Sequence, residues 1–214
     1  MLTSCDVSSL VIDKLCDEAM ERDTAVTCFY FDFSTRKEQS PINMLGSLLR
    51  QLANRFEPIP DVIVQEFRNQ KKVIGGRGPQ ISRILEMFQT IATTMRTFIC
   101  VDALDECAPE HRVVILDSLG QILRGSPNTR VFMTGRPHVR CETKERLGGA
   151  VIFISIEPTR HDVLWYLRER LREDTMPGIM DSKLEADIMK IIPERSSETY
   201  VREETMKKLL EYTF

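Results

Sequence analysis

The stretch FICVDALDEC, residues 98–107, decides how this chain is read. Four apolar residues, Phe98 to Val101, form an unbroken run of the kind that builds a strand buried on both faces. Asp102 follows at once, and Asp105 and Glu106 come within four more positions. A buried strand that ends in three carboxylates needs a chemical reason. Each like-charged pair a few ångströms apart costs roughly 1 kcal/mol in water and about 4 kcal/mol at an effective dielectric near 20.

Working outward, strands and helices alternate. AVTCFYFDF (25–33), RVFMTG (130–135) and AVIFISI (150–156) read as further strands, β-branched or aromatic and apolar on both faces. Between them lie amphipathic stretches. Val7, Leu10, Val11 and Leu15 recur at helical spacing over 7–16, and Ile42, Leu45, Leu49, Leu52 and Phe56 follow Ser40-Pro41, an N-cap with proline at the first helical position. Ile81, Ile84, Leu85, Phe88, Ile91 and Met95 mark a helix after the turn GGRGP (75–79). Pro109 starts another, carrying Ile115, Leu119, Ile122 and Leu123. Thr159 is the expected cap of a helix through Val163, Leu164, Leu167 and Leu171, and a last helix through Leu184, Ile188 and Ile191 follows Pro177 and Gly178. The alternation predicts an α/β fold, a parallel sheet with helices on both sides, whose ligands sit at the carboxyl ends of the strands.

Composition removes several function classes. The 214 residues carry a net charge of −3 and are 42% hydrophobic, enough for a core and with no electrostatic case for nucleic acid. Arg168, Arg170 and Arg172 are interleaved with Glu169 and Glu173, as on a solvated helix face. No apolar run approaches the roughly 20 residues of a membrane-spanning helix. The 6 cysteines, Cys5, Cys16, Cys28, Cys100, Cys107 and Cys141, form no CxxC pair and read as cytosolic thiols packed as small hydrophobes. The 3 histidines make no HxxxH, and no serine lies in GxSxG.

The strand ends then supply a candidate site. Asp32, Ser34 and Thr35 follow the first strand, Asp102, Asp105 and Glu106 the second, and Arg136, between Gly135 and Pro137, the third. Parallel strands bring these to one edge. An acid closing a buried strand can anchor phosphate-bound magnesium, a neighbouring carboxylate can orient water, and an arginine can meet a phosphoryl group. A plainer account stands beside it: Asp105 and Glu106 favour the positive end of the helix begun at Pro109, and Asp102 forms a structural ion pair with Arg136.

At these residues the chain resembles a family. FICVDALDEC resembles the Walker B segment of NACHT-type P-loop NTPases of the STAND class, and VFMTGRPH (131–138) resembles their sensor 1 strand and arginine. FYFDFSTRKEQSPINMLGSLLRQL (29–52) and ISIEPTRHDVLWYLRERL (154–171) are similar to the flanking stretches in fungal members, which carry a nephrocystin-3-like N-terminal domain. The resemblance implies a three-layer P-loop NTPase-like fold and a signal-transducing switch. It also implies ATP or GTP with Mg²⁺ as cofactors, a cytoplasmic location, and protein partners: an N-terminal effector and C-terminal repeats such as ankyrin or WD40. Carried over by position, Asp102 holds magnesium through water, Asp105 and Glu106 polarise the hydrolytic water, and Arg136 senses the γ-phosphate.

One departure is large. No Gly-Lys pair occurs in the 214 residues, so the loop GxxxxGK[ST] is absent, and GGRG lacks both the lysine and a preceding strand. The expectation is therefore a chain without the first, P-loop strand: an internal fragment or shortened product of a larger switch, with little or no hydrolysis of its own. Residues 1–175 are expected to form the incomplete NTPase-like domain and 176–214 the start of a helical subdomain with a divergent tail. By the family's strand order, fifth, first, fourth, third, second, strands 150–156 and 130–134 are expected about 10 Å apart or forced together out of register. The alternative function is a nucleotide-free interaction scaffold in which Arg136 pairs with the acids permanently; a third is that the piece does nothing by itself.

Overall fold

The computed structural model describes residues 4–21, 23–71, 78–148, 151–155, 160–172 and 182–195. The chain divides into two units, residues 8–151 and residues 1–7 with 152–214. The larger unit is built on three strands, β1 (Thr24–Tyr30), β2 (Arg96–Asp102) and β3 (Thr129–Met133). They lie in the order β1-β2-β3, and both pairs are parallel. The fold expected from the apolar, non-alternating strands is therefore the one found. β2 is central, and every residue from Thr97 to Asp102 is buried, as a strand covered on both faces requires.

Strand register sorts the side chains into two faces. Ala25, Thr97 and Thr129 share one row, Thr27, Ile99 and Val131 the next, and Phe29, Val101 and Met133 the third. This face packs on α2 (Pro41–Ala53), α4 (Ile81–Ala92) and α5 (Pro109–Gly125). Met44, Leu45, Leu48, Leu52, Ile84, Phe88, Ile115, Leu116 and Leu119 form one core with Ile99 and Val101. The opposite face presents Phe98, Cys100 and Asp102; α1 (Ser4–Glu21) reaches it through the Ser8 hydroxyl on Asp102, and its Val11, Ile12 and Leu15 are buried. Burial pushes the Cys100 thiol up to about 12 and the Cys107 thiol to about 11, so both are protonated packing groups at neutral pH.

Local signals explain where these elements start. Ser40 accepts from the Asn43 N–H at 3.3 Å, with Pro41 in the first turn of α2, and Pro109 opens α5. α3 (Asp61–Lys71) has no buried residue and is tethered through Glu66 to Arg83 at 2.8 Å. α6 (Arg140–Leu147) completes the unit. In the smaller unit α7 (Arg160–Arg172) and α8 (Ser182–Arg195) contact one another.

Several expectations are corrected. Residues 151–155 form no strand. A strand exists only through a backbone partner, and the apolar run by itself supplied none; the gap expected between two strands here has no second strand to define it. β1 stops at Tyr30, because Asp32 turns the chain into a 3-10 turn at Phe33–Thr35. α1 runs well beyond the predicted 7–16. α8 includes Pro193 and ends at Arg195, forgoing one main-chain bond near its end. The Thr159 cap, Pro177-Gly178, most of the GGRGP turn, the Cys5 side chain and the tail 196–214 lie outside what the structure describes.

β1 is an outer strand of the described sheet, and outer strands present unpaired main-chain groups. Here a side chain fills that role. The Cys28 N–H donates to Gln51 Oε1 at 2.9 Å, and Gln51 Nε2 donates to the Cys28 carbonyl at 2.8 Å. The amide thus copies the donor–acceptor pair of a neighbouring strand and fastens α2 to β1. Gln51→Leu is expected to lower stability by about 1–2 kcal/mol, two net hydrogen bonds' worth, as read by urea unfolding. An unchanged midpoint would show that the clasp contributes nothing.

Candidate functional site at the carboxyl ends of the strands

Asp102 is the last residue of β2 and is only 4% exposed. Its Oδ1 accepts from the Ser8 hydroxyl on α1 and from the Thr134 hydroxyl just past β3, the latter at 2.5 Å. The Thr134 oxygen in turn accepts from the Ala103 N–H at 3.0 Å. The main chain closes the same joint. Thr134 N–H donates to the Val101 carbonyl at 3.0 Å, and Leu104 N–H donates to the Thr134 carbonyl at 3.0 Å. One carboxylate therefore links α1, β2 and the end of β3, and hydrogen bonds to an ionised acceptor are the strong kind.

The chain leaves this joint under strain. Ala103 takes φ 52° and ψ 47°, the left-handed region, which lets a 3-10 turn at Leu104–Glu106 begin immediately. Opposite it stands Gly135. A Cβ there would meet Val139 Cγ2 at 3.1 Å and the Asp105 nitrogen at 3.6 Å, so glycine permits the close approach of the two loops.

The other predicted acids have separate partners. Asp105 Oδ1 accepts from the Arg136 N–H at 3.2 Å, and its Oδ2 pairs with Arg136 Nε at 3.2 Å. The Asp105 side chain is 9% exposed and that of Arg136 is 73% exposed. Glu106 Oε2 accepts from the Phe33 N–H at 3.0 Å, tying the loop after β2 to the loop after β1. Arg36 adds a second tie, donating to the Cys107 carbonyl at 2.9 Å. Asp32 caps its own turn; the Ser34 N–H, helped by the Ser34 hydroxyl, holds its carboxyl below the ordinary carboxylate range.

The predicted side chains thus gather at the carboxyl edge of the parallel sheet, Asp102 as the last residue of β2 and the others on the loops after the strands, with each acid held by partners of its own. The plainer account paired Arg136 with Asp102; its partner is instead Asp105. Among the described residues, no group of three histidine, cysteine or acidic side chains is placed to hold a metal ion. Asp102 is occupied by two hydroxyls and Asp105 by a guanidinium.

Sequence reasoning missed Ser8 and Thr134. Ser8 sits three and seven residues before Val11 and Leu15, on the apolar stripe of α1, where a polar side chain asks for a partner. That was the available signal.

The family described as "Nephrocystin 3, N-terminal" matches residues 6–136, more than half of the chain. No curated protein matches it. Among solved structures, the Aeropyrum pernix ORC1 protein in complex with DNA is similar at 17% identity with a TM-score of 0.43. That match covers 98% of this chain and 56% of the other, so the chain spans about half that protein's length. Among the described residues no helix is long and apolar enough to cross a membrane.

Ala103 offers a direct test of the strain at the joint. A left-handed conformation costs a non-glycine residue roughly 1–2 kcal/mol, and glycine returns about 0.4–1 kcal/mol of that through a freer unfolded chain. Ala103→Gly is therefore expected to raise stability by up to about 1 kcal/mol, seen as a higher urea midpoint. A lower midpoint would contradict the strain.

Proposed function

Because the chain belongs to the nephrocystin 3 N-terminal family, we propose that it is the NTPase-type core of a NACHT-like signal-transducing switch. The observation that carries this reading is Asp102, an acid that closes the central strand of a parallel sheet and is fixed from both sides by hydroxyls. Ligands of such sheets bind outside the carboxyl ends of the strands. In this reading Asp102 is the residue that faces magnesium through water, Asp105 and Glu106 are the residues for the hydrolytic water, and Arg136 is the residue for the γ-phosphate. The cofactor is Mg²⁺ with ATP or GTP, the setting is the cytoplasm, and the partners are protein domains: an effector and repeats such as ankyrin or WD40.

The phosphate cradle is the weak point. Backbone N–H groups and a lysine normally supply the β- and γ-phosphate contacts, and the sequence contains no Gly-Lys pair. We therefore propose that the chain as it stands binds nucleotide weakly or not at all and hydrolyses little. A second reading, a nucleotide-free interaction scaffold, is favoured by one observation: Asp105 and Arg136 hold each other through two contacts.

Titration with fluorescent ATP and GTP analogues, with and without magnesium, separates the readings. The chain alone is expected to show little binding. A version with a GxxxxGKS loop and its strand fused ahead of α1 is expected to bind with magnesium dependence, which Asp102→Asn removes. Equal affinity in both versions would sink the account of the cradle, and no binding by either would leave the scaffold.

A further inference from the structure

At the end of the sheet opposite Asp102, three hydroxyls are buried without a partner. Thr97 is 0%, Ser126 0% and Thr129 2% exposed. Thr97 Oγ1, Ser126 Oγ and Thr129 Oγ1 make no hydrogen bond. Four other buried hydroxyls of the described chain are satisfied. Thr27 donates to the Phe98 carbonyl at 3.3 Å, Ser118 to Val114 at 2.7 Å, Thr143 to Val139 at 2.9 Å, and Ser8 to Asp102.

The three orphans are neighbours. Thr97 and Thr129 are register partners on β2 and β3, so their side chains stand on one face with Cα atoms about 5 Å apart. Ser126, at the end of α5, accepts the Thr129 N–H on its carbonyl at 3.0 Å, and the Thr97 N–H donates to the Asn128 carbonyl at 3.1 Å. One turn therefore holds all three residues together. The next residue in the row beyond Thr97 is Ala25, which is apolar and offers neither hydroxyl a partner.

Buried polar groups in folded proteins find partners, and buried water supplies them where protein atoms do not, typically making about three hydrogen bonds. Three unmet hydroxyls on residues held together by one turn match the capacity of a single water molecule. Neutral hydroxyl oxygens offer no charge to offset a buried cation. We propose that Thr97, Ser126 and Thr129 bind one internal water that pins the turn between α5 and β3 to the start of β2.

The test uses the intact chain. Thr97→Val and Thr129→Val each replace a hydroxyl by a methyl of the same shape. A bound water predicts that both lower the melting temperature, and that the double variant falls by less than the sum, because both lose the same water. A rise, no fall, or strict additivity overturns the proposal. Water-to-amide NOE measurements on the ¹⁵N-labelled wild-type protein give a reading independent of the variants. A long-lived water signal at the amides of Thr97 and Thr129 is expected, and its absence overturns the site.

Discussion

The carboxylate of Asp102 is the constraint around which the larger unit is arranged. A carboxylate that is 4% exposed cannot rely on bulk water, and leaving it unpaired would cost several kcal/mol. The chain meets that cost with hydroxyls brought from two other elements, Ser8 of α1 and Thr134 beyond β3. Each hydrogen bond to a charged acceptor contributes about 1.5–3 kcal/mol. Those two bonds tie α1 and the chain just past β3 to the end of β2.

The rim built on this joint is a closed set of contacts. Asp105 with Arg136, Glu106 with Phe33, and Arg36 with Cys107 join the loops after β1, β2 and β3 in pairs. The exposed Arg136–Asp105 pair is worth little by itself, since salt bridges at the surface contribute about 0–1 kcal/mol. Its importance lies in geometry: it fixes the loop after β3 against the loop after β2. A switch core requires such a rim to be reorganised by its ligand, whereas a scaffold requires it to persist. The two proposed functions therefore differ at this pair of side chains and not in the fold.

Much of this was legible in the sequence. The apolar run before Asp102 gave β2, and the absence of alternation gave a parallel sheet covered on both sides. Ser40-Pro41 and Pro109 marked helix starts because capping is a local, side-chain-to-backbone event. What failed depended on partners. Residues 150–156 have every property of a strand but form no ladder over 151–155, because composition does not specify a neighbour. The three acids read as one cluster, since spacing along the chain does not say which way a side chain turns; the left-handed Ala103 and the 3-10 turn after it send Asp105 and Glu106 to different partners. Ser8 escaped notice because its partner lies 94 positions away.

A double-mutant cycle at the joint tests the central claim most directly. Ser8→Ala and Thr134→Val are each measured in the wild-type background and with Asp102→Asn, by urea unfolding. If the charged carboxylate organises both hydroxyls, each loss costs less once Asp102 is neutral, with a coupling of about 1–2 kcal/mol. Additivity within about 0.3 kcal/mol for both hydroxyls would show that neither depends on Asp102, and the account of the joint would be wrong.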